Sequence, residues 1–107
     1  MGIGPVPATR KLMDHLDLRI DDFDVIEINE AFSAQVLAVI REFGLEDSAE
    51  HVNRNGGAIS LGHPLGASGA RLVGTAARML SEGGHKRALC TMCIGVGQGI
   101  AVALDAA

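Results

Sequence analysis

The sequence predicts an α/β fold in which helices pack on a layered, mixed β-sheet. Short apolar runs that suit buried strands, such as 25–28, alternate with longer segments in which apolar residues recur at helical spacing. Hydrophobic residues make up 48% of the 107 residues, but the only aromatic ones are three Phe. Small aliphatic residues and 14 glycines therefore form the core, which is typical of helices lying close on a sheet.

The first half of the chain predicts a helix, a strand and a second helix. Pro7 suits the first turn of a helix, and apolar residues follow it at helical spacing. An acidic turn over 21–24 precedes the strand 25–28. Asn29 is expected to cap a helix from about Glu30 to Phe43, which Gly44 ends. The predicted buried face of this helix consists of Phe32, Val36, Val39, Ile40 and Phe43.

The second half predicts a polar loop, a glycine-rich segment, a helix and a hairpin. The loop covers 45–55 and the glycine-rich segment 55–69. A helix over 67–81 is expected to bury Val73, Ala76, Ala77 and Leu80. Strands over 87–92 and 100–104 then form an antiparallel hairpin, joined by a turn that contains Gly95, Gly97 and Gly99.

The length fits one domain, covering 1–107. A sheet with parallel strands needs cover on both faces, and a chain this short offers few elements for that purpose. We therefore expect a neighbouring piece of protein to pack against this domain.

Composition argues against several classes of protein. The net charge is −4 and no run of Lys or Arg occurs, so nucleic-acid binding is not expected. The longest apolar stretch, 99–104, is too short to span a bilayer, and the N-terminal residues do not resemble a secretory signal. The two cysteines then favour a reducing cytoplasm and free thiols.

His63 is the first candidate for chemistry. It lies between Gly62 and Pro64, just before the helix predicted to start near Ala67. The partial positive charge of a helix N-terminus disfavours imidazolium and so favours a neutral ring that can act as a general base. A loop histidine held by a backbone hydrogen bond fits the same residues, and both interpretations stay open at this point.

Cys90 and Cys93 form a C-x-x-C pair with several interpretations. A redox pair belongs at the start of a helix, and a zinc site needs two further ligands at suitable spacing; neither condition is met, so no metal is expected. On one strand, positions 90 and 93 point to opposite faces. Cys90 then fits a core position, whereas Cys93 meets the glycine turn, as a packing residue or as an acid, base or nucleophile.

The glycines that follow do not match a dinucleotide-binding fingerprint, because position 100 is Ile100 and a strand follows. They form either a plain tight turn or a turn that exposes backbone N–H groups, such as that of Gly95, to a developing oxyanion. Asn29 follows a strand, where open α/β sheets bind ligands, although a helix cap is the simpler role.

Three segments together resemble the thiolase family: Asn29–Phe32, Gly56–Gly69 and Cys93–Gly99. They stand in that family's order and approximate spacing, and the opening residues 1–8 also resemble a thiolase segment, so the resemblance covers essentially the whole chain. Residues 88–93 and Val52-Asn53 further resemble the β-ketoadipyl-CoA thiolase and acetyl-CoA acyltransferase branch.

The resemblance implies reversible acyl transfer between a 3-oxoacyl-CoA and coenzyme A, both substrates, with no further cofactor. It implies that His63 activates a nucleophilic cysteine and helps to bind the thioester oxygen. Cys93 would be the acid/base that moves a proton on and off the second substrate. Asn29 would hold a water in one oxyanion hole, and the backbone N–H of Gly95 would contribute to another.

The chain departs from the family pattern in one important way. In thiolases the nucleophilic cysteine lies in the N-terminal domain, and neither Cys90 nor Cys93 occupies that position. The first strand of the C-terminal domain also has no counterpart here. We expect an incomplete C-terminal domain that is inactive alone, whose partners are an N-terminal thiolase domain and further copies of the enzyme. A non-catalytic thiolase-like binding or assembly module is the alternative.

Overall fold

The computed structural model describes residues 2–107. Within these residues the chain forms four α-helices and three strands, with short 3-10 turns at Ile20–Asp22 and Gly95–Gly97. In chain order the elements are α1 (Pro5–Leu16), β1 (Val25–Ile28), α2 (Ser33–Glu42), α3 (Ala58–Leu61), α4 (Ser68–Ser81), β2 (Arg87–Ile94) and β3 (Gln98–Asp105).

The sheet is mixed, as the sequence predicts. β2 lies in the centre, parallel to β1 and antiparallel to β3. Val25 pairs with Ala88 and Ile28 with Thr91, so β1 and β2 run toward the same edge of the sheet. On the outer side of β1, Val52 forms a parallel bridge with Ile26, within the segment predicted as a loop.

Helices cover both faces of the sheet. α1 and α2 lie on one face, over a core formed by Val6, Phe23, Ile26, Ile28, Val36, Val39, Ile40, Phe43 and Leu89. α4 lies on the other face, over Val25, Leu72, Ala76, Leu80, Ala88 and Cys90. All four residues of β1 are buried because both of its faces are covered. Within residues 2–107, no helix is long and apolar enough to cross a membrane.

Two predicted helices differ in detail from the structure. α2 begins at Ser33 rather than near Glu30, since the chain stays extended through Phe32 (φ −146°, ψ 147°). Phe32 is consequently 61% exposed and does not join the buried face of α2. In α4 the buried side chains are Ser68, Leu72, Ala76 and Leu80, so the predicted burial of Ala77 is wrong.

The β2–β3 hairpin is confirmed, with a shorter turn than predicted. The turn covers Gly95–Gly97, whereas Gly99 lies within β3 opposite Cys93. A Cβ on Gly99 would meet the backbone of Gly4 and Pro5, at the start of α1. Gly99 is therefore required by the close approach of two backbones and not by the turn itself.

We predict that Gly99→Ala lowers the free energy of unfolding by about 1–3 kcal/mol, because the new methyl group forces α1 away from β3. Urea denaturation of both proteins measures the difference in the free energy of unfolding. Gly74→Ala is the matched control: it lies within α4 with open space around it, and we expect it to raise stability by roughly 0.5–1 kcal/mol. Unchanged stability of Gly99→Ala would contradict the close approach.

Candidate functional site

A cleft of about 350 Å³ lies at the sheet edge where β1 and β2 end. His63, Cys93 and Gly95 line it, so three of the four candidate residues from the sequence meet at one place. The rest of the lining is mainly apolar and comes from Ala31, Phe32, Leu65, Met92 and Ile94. A cleft with an imidazole, a thiol and an apolar wall has the character of a small-molecule site.

His63 is held by the connection between α3 and α4. α3 ends at Gly62, whose φ of 97° lies in the left-handed region that glycine adopts readily. This conformation ends the helix immediately before His63, and the fixed φ of Pro64 follows. The ring nitrogen Nδ1 of His63 contacts the hydroxyl of Ser68, the first residue of α4. The imidazole is therefore oriented by a side-chain contact as well as by the loop.

Cys93 is the penultimate residue of β2, paired with Gly99 of β3. Its side chain is 6% exposed and lines the cleft together with His63. Beyond Ile94 the chain turns sharply at Val96, a non-glycine residue with φ 68°. The thiol is thus held on a central strand, while Gly95 lies on the rim of the cleft.

Cys90 points to the opposite face of β2, under α4, where it is 4% exposed. Its Sγ lies 3.6 Å from the carbonyl oxygen of Leu72. Burial raises the pKa of the Cys90 thiol to about 12, and the nearby charge of Glu27 adds to the rise. Because the two cysteines face opposite sides of the sheet, they cannot form one thiol site together.

Asn29 does not cap a helix, and this interpretation is wrong. The N-cap of α2 is Phe32, and the backbone N–H of Asn29 instead donates to the carbonyl of Thr91 at 3.0 Å, continuing the pairing of β1 with β2. The Asn29 side chain is 0% exposed. Within residues 2–107, its amide oxygen and nitrogen have no hydrogen-bond partner. Leaving a buried amide unpaired costs free energy. Such an amide is typical of a position that binds a ligand or a water.

Asn53 and Glu30 connect the segments around the cleft, a role that sequence reasoning missed. The Asn53 amide accepts from the N–H of Ile28 at 2.8 Å and donates to the carbonyl of Ile28 at 2.9 Å, extending the sheet by a side chain. Glu30 accepts from Asn53 at 3.2 Å and from the N–H of Ile59 at 3.1 Å. These bonds fasten the end of β1 to the start of α3, and so to the loop that carries His63.

Glu27 is a buried carboxyl that sequence reasoning also missed. It lies on β1 opposite Cys90 and is 1% exposed. Burial raises the pKa of Glu27 to about 7; the charge of Arg71 on α4 opposes this rise and that of Glu30 adds to it. Within residues 2–107, the Glu27 oxygens and the Arg71 nitrogens have no hydrogen-bond partner. The signal in the sequence was a charged residue inside an otherwise apolar strand buried on both faces.

Chemically, the cleft brings together a proton acceptor, a thiol and a turn of backbone. An imidazole and a thiol at one cleft can take up and deliver protons in sequence. Neither group lies at the start of a dinucleotide-binding or phosphate-binding loop. The arrangement suits acyl transfer or proton abstraction next to a carbonyl.

Comparison with known proteins shows the family of the chain. The family described as "Thiolase, C-terminal domain" matches residues 1–106. The chain is 66% identical to the β-ketoadipyl-CoA thiolase of Pseudomonas knackmussii over 105 residues, which is 98% of this chain and 26% of that relative. It is 63% identical to the 3-oxoadipyl-CoA/3-oxo-5,6-dehydrosuberyl-CoA thiolase of Escherichia coli over the same proportions. The chain thus spans about a quarter of the length of these relatives.

Solved structures give the same result. Human mitochondrial 3-ketoacyl-CoA thiolase superimposes with a TM-score of 0.93 and 46% identity, over 99% of this chain and 26% of the human chain. A structure of the same human enzyme in complex with CoA superimposes equally well. The fold and the family resemblance predicted from the sequence are therefore confirmed.

We predict that Glu27 makes folding less favourable as the pH rises. Below about pH 4.5 the carboxyl is protonated in both states; between this pH and about 7 the unfolded chain loses the proton that the folded chain keeps. Stability therefore falls over this range and levels off above it. From about pH 4.5 to about pH 7, the free energy of unfolding of the wild type should fall by about 3 kcal/mol more than that of Glu27→Gln. Urea denaturation at several pH values measures this difference.

The exposed Glu50→Gln variant serves as the control and should keep the wild-type pH dependence. If Glu27→Gln and wild type lose stability in parallel from pH 4.5 to 7, the carboxyl is not held protonated in the folded state.

Proposed function

This chain belongs to the thiolase family, in its C-terminal domain, and from this premise we propose that it supplies the proton-transfer part of an acyl-transfer site. The reaction is transfer of an acyl group between a 3-oxoacyl-CoA and coenzyme A. The convergence of His63 and Cys93 on one cleft is the observation that carries the proposal.

His63 acts first, as the base that activates the nucleophilic cysteine. The S–H bond of that cysteine breaks as its proton moves to the imidazole, and in thiolysis the thiolate attacks the 3-oxo carbon of the 3-oxoacyl-CoA. The bond between C2 and C3 then breaks: the acyl group stays on the cysteine, and the electron pair moves onto C2 and the neighbouring thioester oxygen as an enolate. The resulting imidazolium then donates a hydrogen bond to the thioester oxygen. The unpartnered amide of Asn29 supports its role of holding the water that completes this oxyanion hole.

Cys93 acts on the second substrate. In thiolysis it first gives its proton to C2 of the enolate that leaves, and its thiolate then takes the proton of the CoA thiol that attacks the acyl-enzyme; in condensation both steps run in reverse. Its position on the wall of the cleft beside Gly95 supports this role. The backbone N–H of Gly95 contributes to the second oxyanion hole.

The nucleophile comes from a part of the enzyme that these residues do not include. Cys90 is excluded for this role because it is buried on the far face of β2 with a pKa of about 12. Around the cleft, Phe32, Leu65 and Val96 are 61%, 82% and 99% exposed. An apolar rim of this kind supports contact with a second, N-terminal domain.

The names of the relatives favour β-ketoadipyl-CoA as the substrate. The resemblance of residues 88–93 to the β-ketoadipyl-CoA thiolase branch supports the same substrate. We further predict that the enzyme acts in the cytoplasm, assembles into homo-oligomers and requires no further cofactor.

The alternative is a thiolase-like module that binds or assembles without catalysis. The retention of both His63 and Cys93 at one cleft favours the enzyme, because a scaffold requires neither group.

The test uses a chimera in which this chain replaces the matching part of the Pseudomonas knackmussii enzyme. We expect His63→Ala to slow both formation of the acyl-enzyme from acetyl-CoA and overall turnover by about 10²–10⁴-fold. Cys93→Ala should still form the acyl-enzyme, since a CoA thiolate can leave without a proton, yet lose turnover by a similar factor because no group then exchanges the proton with C2. Acyl-enzyme is measured by mass spectrometry and turnover by thiolysis of the 3-oxoacyl-CoA.

His15→Ala, on the exposed side of α1, and Cys90→Ala, away from the cleft, are the matched controls and should retain turnover. Full turnover by Cys93→Ala would exclude Cys93 as the acid/base. Full turnover by both His63→Ala and Cys93→Ala would mean that this domain takes no part in the chemistry, as the binding-module alternative holds.

A further inference from the structure

Ser68 is a buried hydroxyl that the proposed chemistry does not use. It opens α4, is 1% exposed, and contacts Nδ1 of His63. Its Oγ also lies 3.3 Å from the carbonyl oxygen of Pro64, four residues earlier. A serine at the start of a helix often donates its hydroxyl proton to such a carbonyl.

The donors and acceptors at this contact set the position of the ring proton. A serine hydroxyl carries one proton and two lone pairs. When that proton is donated to the carbonyl of Pro64, Ser68 meets Nδ1 with a lone pair, so the imidazole must donate from Nδ1. A neutral imidazole has one N–H, so Nε2 is then left as an acceptor on the other side of the ring. His63 lines the cleft, and Nε2 is the ring nitrogen that Ser68 leaves free for it.

We propose that Ser68 is a positioning residue that holds neutral His63 in the tautomer protonated at Nδ1. This inference rests on the proposed function for its catalytic meaning, because both roles of His63 then use one nitrogen. Nε2 first accepts the proton of the nucleophilic thiol, and the new Nε2–H then donates to the thioester oxygen. Nδ1–H stays bonded to Ser68 throughout, so the ring need not turn between the two steps.

The contact also links the ring to the rigid part of the domain. α4 packs on β1 and β2 through Leu72 and Ala76. A ring bonded to the first residue of α4 is therefore held relative to the strand that carries Cys93. Partners of this indirect kind orient a reactive ring and are sensitive to mutation.

The tautomer is measured directly on the 107-residue chain by long-range ¹H–¹⁵N NMR of the histidine rings, at a pH where His63 is neutral. The wild type should show His63 protonated at Nδ1 and unprotonated at Nε2. Ser68→Ala should shift the ring toward the Nε2–H form, and Ser68→Thr, which keeps the hydroxyl, should preserve the wild-type signal. Ser60→Ala removes a hydroxyl that bonds Gly57 instead and should change nothing.

Wild-type His63 protonated at Nε2 would overturn the inference without any variant, and so would an Nδ1–H signal that survives in folded Ser68→Ala. In the chimera we expect Ser68→Ala to lower kcat roughly 10- to 100-fold with little change in KM, and Ser68→Thr to restore it. Because the NMR measurement requires no turnover, an inactive chimera would refute the proposed function while leaving the tautomer assignment intact.

Discussion

The parallel pairing of β1 with β2 is the constraint on which the site depends. It directs both strands toward one edge of the sheet, and the hydrogen bond from Asn29 to Thr91 continues the pairing past the end of β1. Asn29 and Cys93 therefore lie at the carboxyl ends of neighbouring strands, the edge at which open α/β sheets bind ligands. His63 comes from a different part of the chain and follows directly on Gly62, whose positive φ ends α3.

The loop that carries His63 is tied to the sheet by polar contacts. Asn53 pairs with the end of β1 through its side chain, and Glu30 connects that point to the start of α3. On the far side, the contact between His63 and Ser68 connects the same loop to α4. The imidazole is thus positioned from both ends of its loop, although the loop itself contributes little apolar burial.

The parts of the fold that depend on local patterns were predictable from the sequence. β1, α1, α4 and the hairpin follow from apolar periodicity and glycine placement, and His63, Cys93 and Gly95 were recognised as one family pattern. The predicted start of α2 was wrong because the pairing of Asn29 with β2 outweighs the local preference of asparagine for a helix cap. The roles of Asn53, Glu27 and Ser68 depend on contacts between distant segments or on turn geometry, which no local pattern reports.

The most direct test of the account compares thiolysis of a 3-oxoacyl-CoA by the 107-residue chain alone and by the chimera that supplies the rest of the enzyme. We expect no turnover by the chain alone and turnover by the chimera, since the proposed roles of His63 and Cys93 require a nucleophilic cysteine located elsewhere. Turnover by the chain alone would contradict the account, because Cys93 or Cys90 would then have to be the nucleophile.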